Sequence, residues 1–371
     1  MNLFRSRQKA SIDDQFIEYI TATLSDADNS SMTEDSLQDI TQEAVTPFTE
    51  AMGNKVAERI LHDARTFRRN RKTDEGFNRR LRKHWGQAFK LFTITQSCAQ
   101  EAGERTLQKA TTELTEDQLA CRRVLVELHA KACRVTGEVN VLLSNGFPEG
   151  ALARCRTLHE FAVTASIIGD SANDATHRDL AQRFLDHDIV NRLRNAKQYQ
   201  ADQNHLNLSP LDDDLIDQLE ERYQEVLVKY GDEFKREYGW AKKYCPDDNF
   251  RALEKKAGMA HMRTYYQWAS SEVHSSAMGL DSNRSIFRGQ QILRVGKVNA
   301  GLAEPAAMAI NSLHQTTVSL MVRGTGDQVD MTDLITMKAL EVLRKRTTEE
   351  FLEAEAAVQQ SEDDFASKSR N

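Results

Sequence analysis

The sequence predicts an all-α fold, a helical bundle with N-terminal and C-terminal helical extensions. Three observations carry that prediction. Only 5 Pro and 17 Gly punctuate 371 residues, too few for the frequent turns of a β protein. Hydrophobic residues make up 40% and charged residues 28%, enough to bury a core. Apolar positions recur at helical rather than alternating spacing, and no strand–helix alternation suggests a dinucleotide-binding fold.

Residues 12 to 53 read as weak acidic helices separated by the polar stretch Ser25 to Asp35. Helical pattern then runs from about Lys55 to Cys98, with an interruption expected at Asp74-Glu75-Gly76. Thr115-Glu116-Asp117-Gln118 has the form of a capping box. It opens a long helix closed by Asn145-Gly146. Pro148 suits the first turn of the next helix, expected to end at Gly169. Further helices are expected from Thr176 to Gln203, from Ser209-Pro210 to Gly231, from Phe250 to Ala257 and from Ala260 to His274. A short hairpin is expected within Ser285 to Val295, then helices from Ala303 to Val322 and from Met331 to about Gln360, with a frayed end after Ser361. Three regions follow: an N-terminal helical region with a basic segment (1–100), a helical core (101–325) and a C-terminal helix with an acidic tail (326–371).

The net charge of -7 argues against a general nucleic-acid coat protein, yet Arg65 to Lys83 holds nine Lys/Arg against two acids. Within that run Arg68, Arg69, Arg79 and Arg80 could track a phosphate backbone, or form a solvated face paired with the acidic tail. The five cysteines are scattered without zinc-ligand spacing, so no metal and no cofactor is expected, and the thiols read as small buried hydrophobes. Met1 to Ser11 lacks an apolar core and no apolar run reaches about 18 residues, so a cytoplasmic protein without membrane spans is expected.

Chemistry concentrates in the helix Ala151 to Ile168, apolar on nearly every face except for Arg154, Arg156, His159 and Glu160. A helix apolar all round is central to its bundle, so its charges need partners. At about 100° per residue, Arg156, His159 and Glu160 share one face, whereas Arg154 and His159 lie about 140° apart. Arg156 and Glu160 either lock helix register or form an anion site, with Arg for charge stabilisation and His for proton transfer. A second constellation, Tyr266, Ser270 and His274, repeats every four residues along one stripe. A third, Arg183 with Asp186 and His187, could close on the first as a substrate contact, or form an ion-paired helix face.

These residues resemble an uncharacterised bacterial family, domain of unknown function 5677, over roughly Arg122 to Arg323. The resemblance rests on Gly150 to Leu152, Arg156-Thr157-Leu158-His159-Glu160, Ala181 to Asp186, and Tyr266 through Ser270 to His274-Ser275-Ser276. Arg156, Glu160 and His274 carry the family pattern, and His159 is particular to this chain. The helical layout is also similar to HEPN domains, many of them metal-independent ribonucleases of toxin and anti-phage systems. Their signature of Arg, four to six residues, then His is met by Arg154 to His159. That resemblance implies RNA as substrate and a composite site across a homodimer. The expectation is a metal-independent endoribonuclease with Arg156, Glu160, His274, His159 and Arg154 as catalytic candidates. The alternative is a non-catalytic scaffold or sensor subunit that binds a partner protein or a small anionic ligand.

Overall fold

A computed structural model describes residues 11–25, 34–110, 113–172, 174–247, 249–274, 277, 280, 284–287, 290–324 and 328–368. The expected all-α architecture is present. The chain divides into two compact units, Met1–Gly76 and Phe77–Asn371.

The first unit contains α1 (Ile12–Ser25), α2 (Glu34–Leu61) and the opening of α3 (Ala64–Leu107). Phe16 and Tyr19 of α1 stack near Phe48 of α2, with ring centroids 4.9 and 5.5 Å away. The expected break at Asp74-Glu75-Gly76 is absent, and α3 runs through it. A lone glycine costs a helix about 1 kcal/mol, and Arg71 bridges the segment to Glu75 at 3.4 Å. The chain breaks instead at His62-Asp63, where the Asp63 carboxylate accepts from the Arg65 and Thr66 amides at 3.1 and 3.2 Å.

In the second unit α4 (Glu116–Ser144) opens on the expected capping box, with Thr115 and Gln118 exchanging hydrogen bonds. It ends at Asn145, and Gly146 follows with φ +79°. A side chain there would meet the Phe77 ring at 2.7 Å and the Val298 carbonyl at 2.8 Å, so both backbone and space call for glycine. Then α5 (Pro148–Ser171) packs between α4 and α11 (Ala303–Arg323), while α12 (Met331–Lys368) covers α11. One half of α5 sends Cys155 and Leu158 into a core shared with Trp85, Phe92 and Phe351. Its other half sends Val163, Ile167 and Ile168 into a second core with Phe234 and Trp240. Burial in two cores explains why polar residues are few on α5.

The helix expected from Thr176 to Gln203 is two, α6 (Leu180–Asp186) and α7 (Asp188–Asp202). They meet at His187, whose ring lies 2.8 Å from the Arg236 carbonyl and edge-on to Phe234. α8 (Asp213–Tyr230) starts later than Ser209-Pro210 because Asp212 caps it. α9 (Phe250–Lys256) and α10 (Arg263–Val273) follow, then a hairpin of β1 (Arg284–Phe287) and β2 (Gln290–Leu293), paired antiparallel from Arg284↔Leu293 to Phe287↔Gln290. α12 continues to Lys368, past the expected fraying point, where Gln359–Asp363 and Gln360–Asp364 hydrogen bonds span successive turns. No described helix is long and apolar enough to cross a membrane.

Candidate functional site

The polar residues of α5 separate onto different sides. Arg156 and Glu160 sit one turn apart and pair directly, Nε to Oε1 at 3.0 Å. The same Glu160 oxygen accepts the Tyr266 hydroxyl at 3.0 Å, because α10 packs on α5. Two turns beyond Tyr266, His274 caps the C-terminus of α10, its amide bonded to the Ser270 carbonyl at 3.2 Å. There the imidazole Nε2 lies 3.1 Å from Arg156 Nη1. A guanidinium only donates, so Nε2 accepts and any ring proton sits on Nδ1. Arg156 and Glu160 are partly exposed and His274 is exposed, so this face opens to solvent. Burial works against the charge on Arg156, yet Glu160 and Tyr266 outweigh it and its pKa is raised. Burial first, and then Glu160, pushes the Tyr266 hydroxyl up, keeping it a donor.

His159 faces the interior with only 1% of its side chain exposed. Its Nε2 is 2.9 Å from Glu254 Oε1, on α9, and Glu254 is 0% exposed. The other Glu254 oxygen accepts from Arg263 at 2.8 Å. Phe250 and Tyr266 wall this buried group, with centroids 6.0 and 5.6 Å from the His159 ring. Tyr266 joins the two clusters, since the Arg156 and Arg263 guanidinium carbons lie 5.2 and 5.0 Å from its ring centre. Glu254 and Arg263 were not singled out by sequence. Leu253-Glu254-Lys255-Lys256 reads as a solvated helix end, and nothing local marks Glu254 as the buried member.

The remaining candidates lie elsewhere. Arg154 turns to α4 and pairs with Glu138 at 2.8 Å. Arg183 donates to the Trp240 carbonyl at 3.1 Å and covers the Tyr230 ring at 4.5 Å. Asp186 accepts from Tyr230, Gln182 and Lys229 at 2.7, 2.8 and 3.0 Å. Thus α6 builds a separate ion-paired cluster with α8. Arg68 and Arg69 are exposed in the first unit, and Arg79 and Arg80 are exposed in the second. Ser275 and Ser276 lie outside the described residues.

All five cysteines are free. Burial pushes the Cys121 thiol up to about 12 and Cys133 to about 11, which leaves them protonated and unreactive at neutral pH. Among the described residues, no group of three or more His, Cys, Asp or Glu could hold a metal ion.

Over residues 122–291 the chain matches the model of a family of unknown function (DUF5677). That span contains the Arg156–Glu160–Tyr266–His274 cluster and the Glu254 group beneath it. No curated protein and no solved structure matches the chain.

Proposed function

We propose that this chain is a metal-independent endoribonuclease of the kind found in bacterial toxin and defence systems, working at the Arg156–His274 face. One observation carries the reading: an exposed imidazole acceptor held 3.1 Å from a part-exposed guanidinium. A phosphodiester that displaces this hydrogen bond meets a cation and a proton acceptor together. His274 Nε2 takes the 2′-hydroxyl proton as O2′ attacks phosphorus, and Arg156 stabilises the charge that develops on the phosphoryl oxygens. The P–O5′ bond breaks, the leaving oxygen takes a proton from solvent water, His274 returns its own proton to solvent, and the products are a 2′,3′-cyclic phosphate and a free 5′-hydroxyl. Glu160 and Tyr266 are positioning residues that hold Arg156. In this reading His159, buried against Glu254, takes no part in proton transfer. The sequence resemblance to HEPN domains implies a homodimer in which two such faces cooperate.

A second reading, a non-catalytic scaffold or sensor of a defence complex, draws on the fact that Glu160 already neutralises Arg156. End analysis of RNA incubated with the purified protein in EDTA separates the two. The ribonuclease reading requires 2′,3′-cyclic phosphate ends that vanish with Arg156→Ala. Intact RNA with a correctly folded wild type supports the scaffold.

A further inference from the structure

The opening of α3, Ala64-Arg65-Thr66-Phe67-Arg68-Arg69-Asn70-Arg71-Lys72-Thr73, concentrates charge in the first unit. At about 100° and 1.5 Å per residue, Arg65, Arg68, Arg69 and Lys72 fall within an arc of about 100° along roughly 10 Å of helix. They line a shallow open groove with Thr73, and all four are exposed. Among the described residues none of the four forms an ion pair. Arg71, away from this arc, is paired with Glu75 at 3.4 Å.

Local physics disfavours this arrangement in the free protein. Like charges three and four residues apart repel. The first turn of α3 holds no acid, and only the capping carboxylate of Asp63, which also interacts with Arg65, offsets the positive end of the helix dipole. A bound polyanion would relieve the repulsion that remains. Phe67 is the only large apolar side chain from Ala64 to Gly76. The segment therefore has no apolar face to insert into a membrane. A nucleic-acid strand carries one phosphate per about 3.4 Å, so a ridge of this length spans about three of them.

We propose that the Arg65–Arg68–Arg69–Lys72 ridge binds the phosphate backbone of single-stranded RNA, outside the Arg156–His274 face. The choice of RNA rests on the ribonuclease reading, whereas the binding itself requires no cleavage.

The test uses the full chain carrying Arg156→Ala in EDTA, so that the probe stays intact. Anisotropy of a labelled RNA of about 20 nucleotides is followed as salt rises from about 50 to 300 mM. Three neutralised phosphates predict a log–log salt slope of about −2.1. Arg68→Glu with Arg69→Glu, both exposed and checked for retained helicity, should flatten the slope by about 1.4 and weaken binding at least tenfold. Unchanged affinity and slope in that variant overturn the proposal. Equal, ridge-dependent binding of an oligoglutamate peptide or an anionic vesicle also overturns it, by assigning the ridge to an acidic protein or a lipid surface. Cleavage by the otherwise wild-type chain is measured separately. Wild-type cleavage with RNA binding that does not depend on the ridge removes this proposal alone, and ridge-dependent binding without wild-type cleavage removes the catalytic reading alone.

Discussion

His159 and His274 are linked through Tyr266 and Arg156 and meet opposite environments. His159 is sealed on an inaccessible carboxylate, itself held by Arg263. His274 sits on an exposed helix end, with its acceptor nitrogen against Arg156. The first arrangement is closed to solvent and ties α5 to α9 and Arg263. The second has little packing to lose and an open face. The comparison shows how Tyr266 serves both: its ring lies against the buried group while its hydroxyl fixes Glu160.

The largest expected effect comes from breaking the buried side. Glu254→Ala strips His159 and Arg263 of their shared partner and should cost about 3–5 kcal/mol of stability, measured by urea unfolding. A loss below about 1 kcal/mol would mean that the interior group is not structural. Acid should act on another buried histidine, His129, which donates to or accepts from Thr317 at 3.2 Å. Burial holds its pKa down to about 4. The unfolded chain therefore binds a proton near pH 6.5 that the folded chain refuses until about pH 4. Stability should be fully present above 6.5 and fall across that window by about 3 kcal/mol, order of magnitude. Urea midpoints at pH 7 and 4.5 check this, and His129→Gln should flatten the dependence.

Smaller effects sharpen the open side. Tyr266→Phe removes one hydrogen bond to Glu160 and should cost about 0.5–1.5 kcal/mol. It should also lower cleavage by loosening Arg156, with the maximal rate affected more than KM. Arg154→Ala breaks only a half-exposed pair with Glu138, worth about 0–1 kcal/mol. RNA cleavage by that variant should match wild type, and a loss of hundredfold or more would return the literal Arg154–His159 signature to the mechanism.

Much of the fold was legible because its signals are local. The capping box at Thr115, the Asn145-Gly146 stop and Pro148 each act within a few residues. Helical angles on α5 were enough to set Arg156 with Glu160, but they also placed His159 on that face, whereas it turns inward to Glu254. Long-range packing was not legible. That His159 turns inward depends on Glu254, 95 residues away, and that Arg156 meets His274 depends on how α10 crosses α5, 118 residues on. Helix boundaries failed where a side chain outside the periodic pattern decided the matter. Asp63 and Asp212 relocate helix starts by capping, and His187 divides a helix through a distant carbonyl.

His274→Ala tests the division of labour most directly, with unfolding midpoint and RNA cleavage measured on one preparation in EDTA. The exposed position predicts a stability change within about 0.5 kcal/mol and a cleavage loss of about a hundredfold or more. Unchanged cleavage, or a loss that merely follows unfolding, would contradict the assignment of chemistry to the open side.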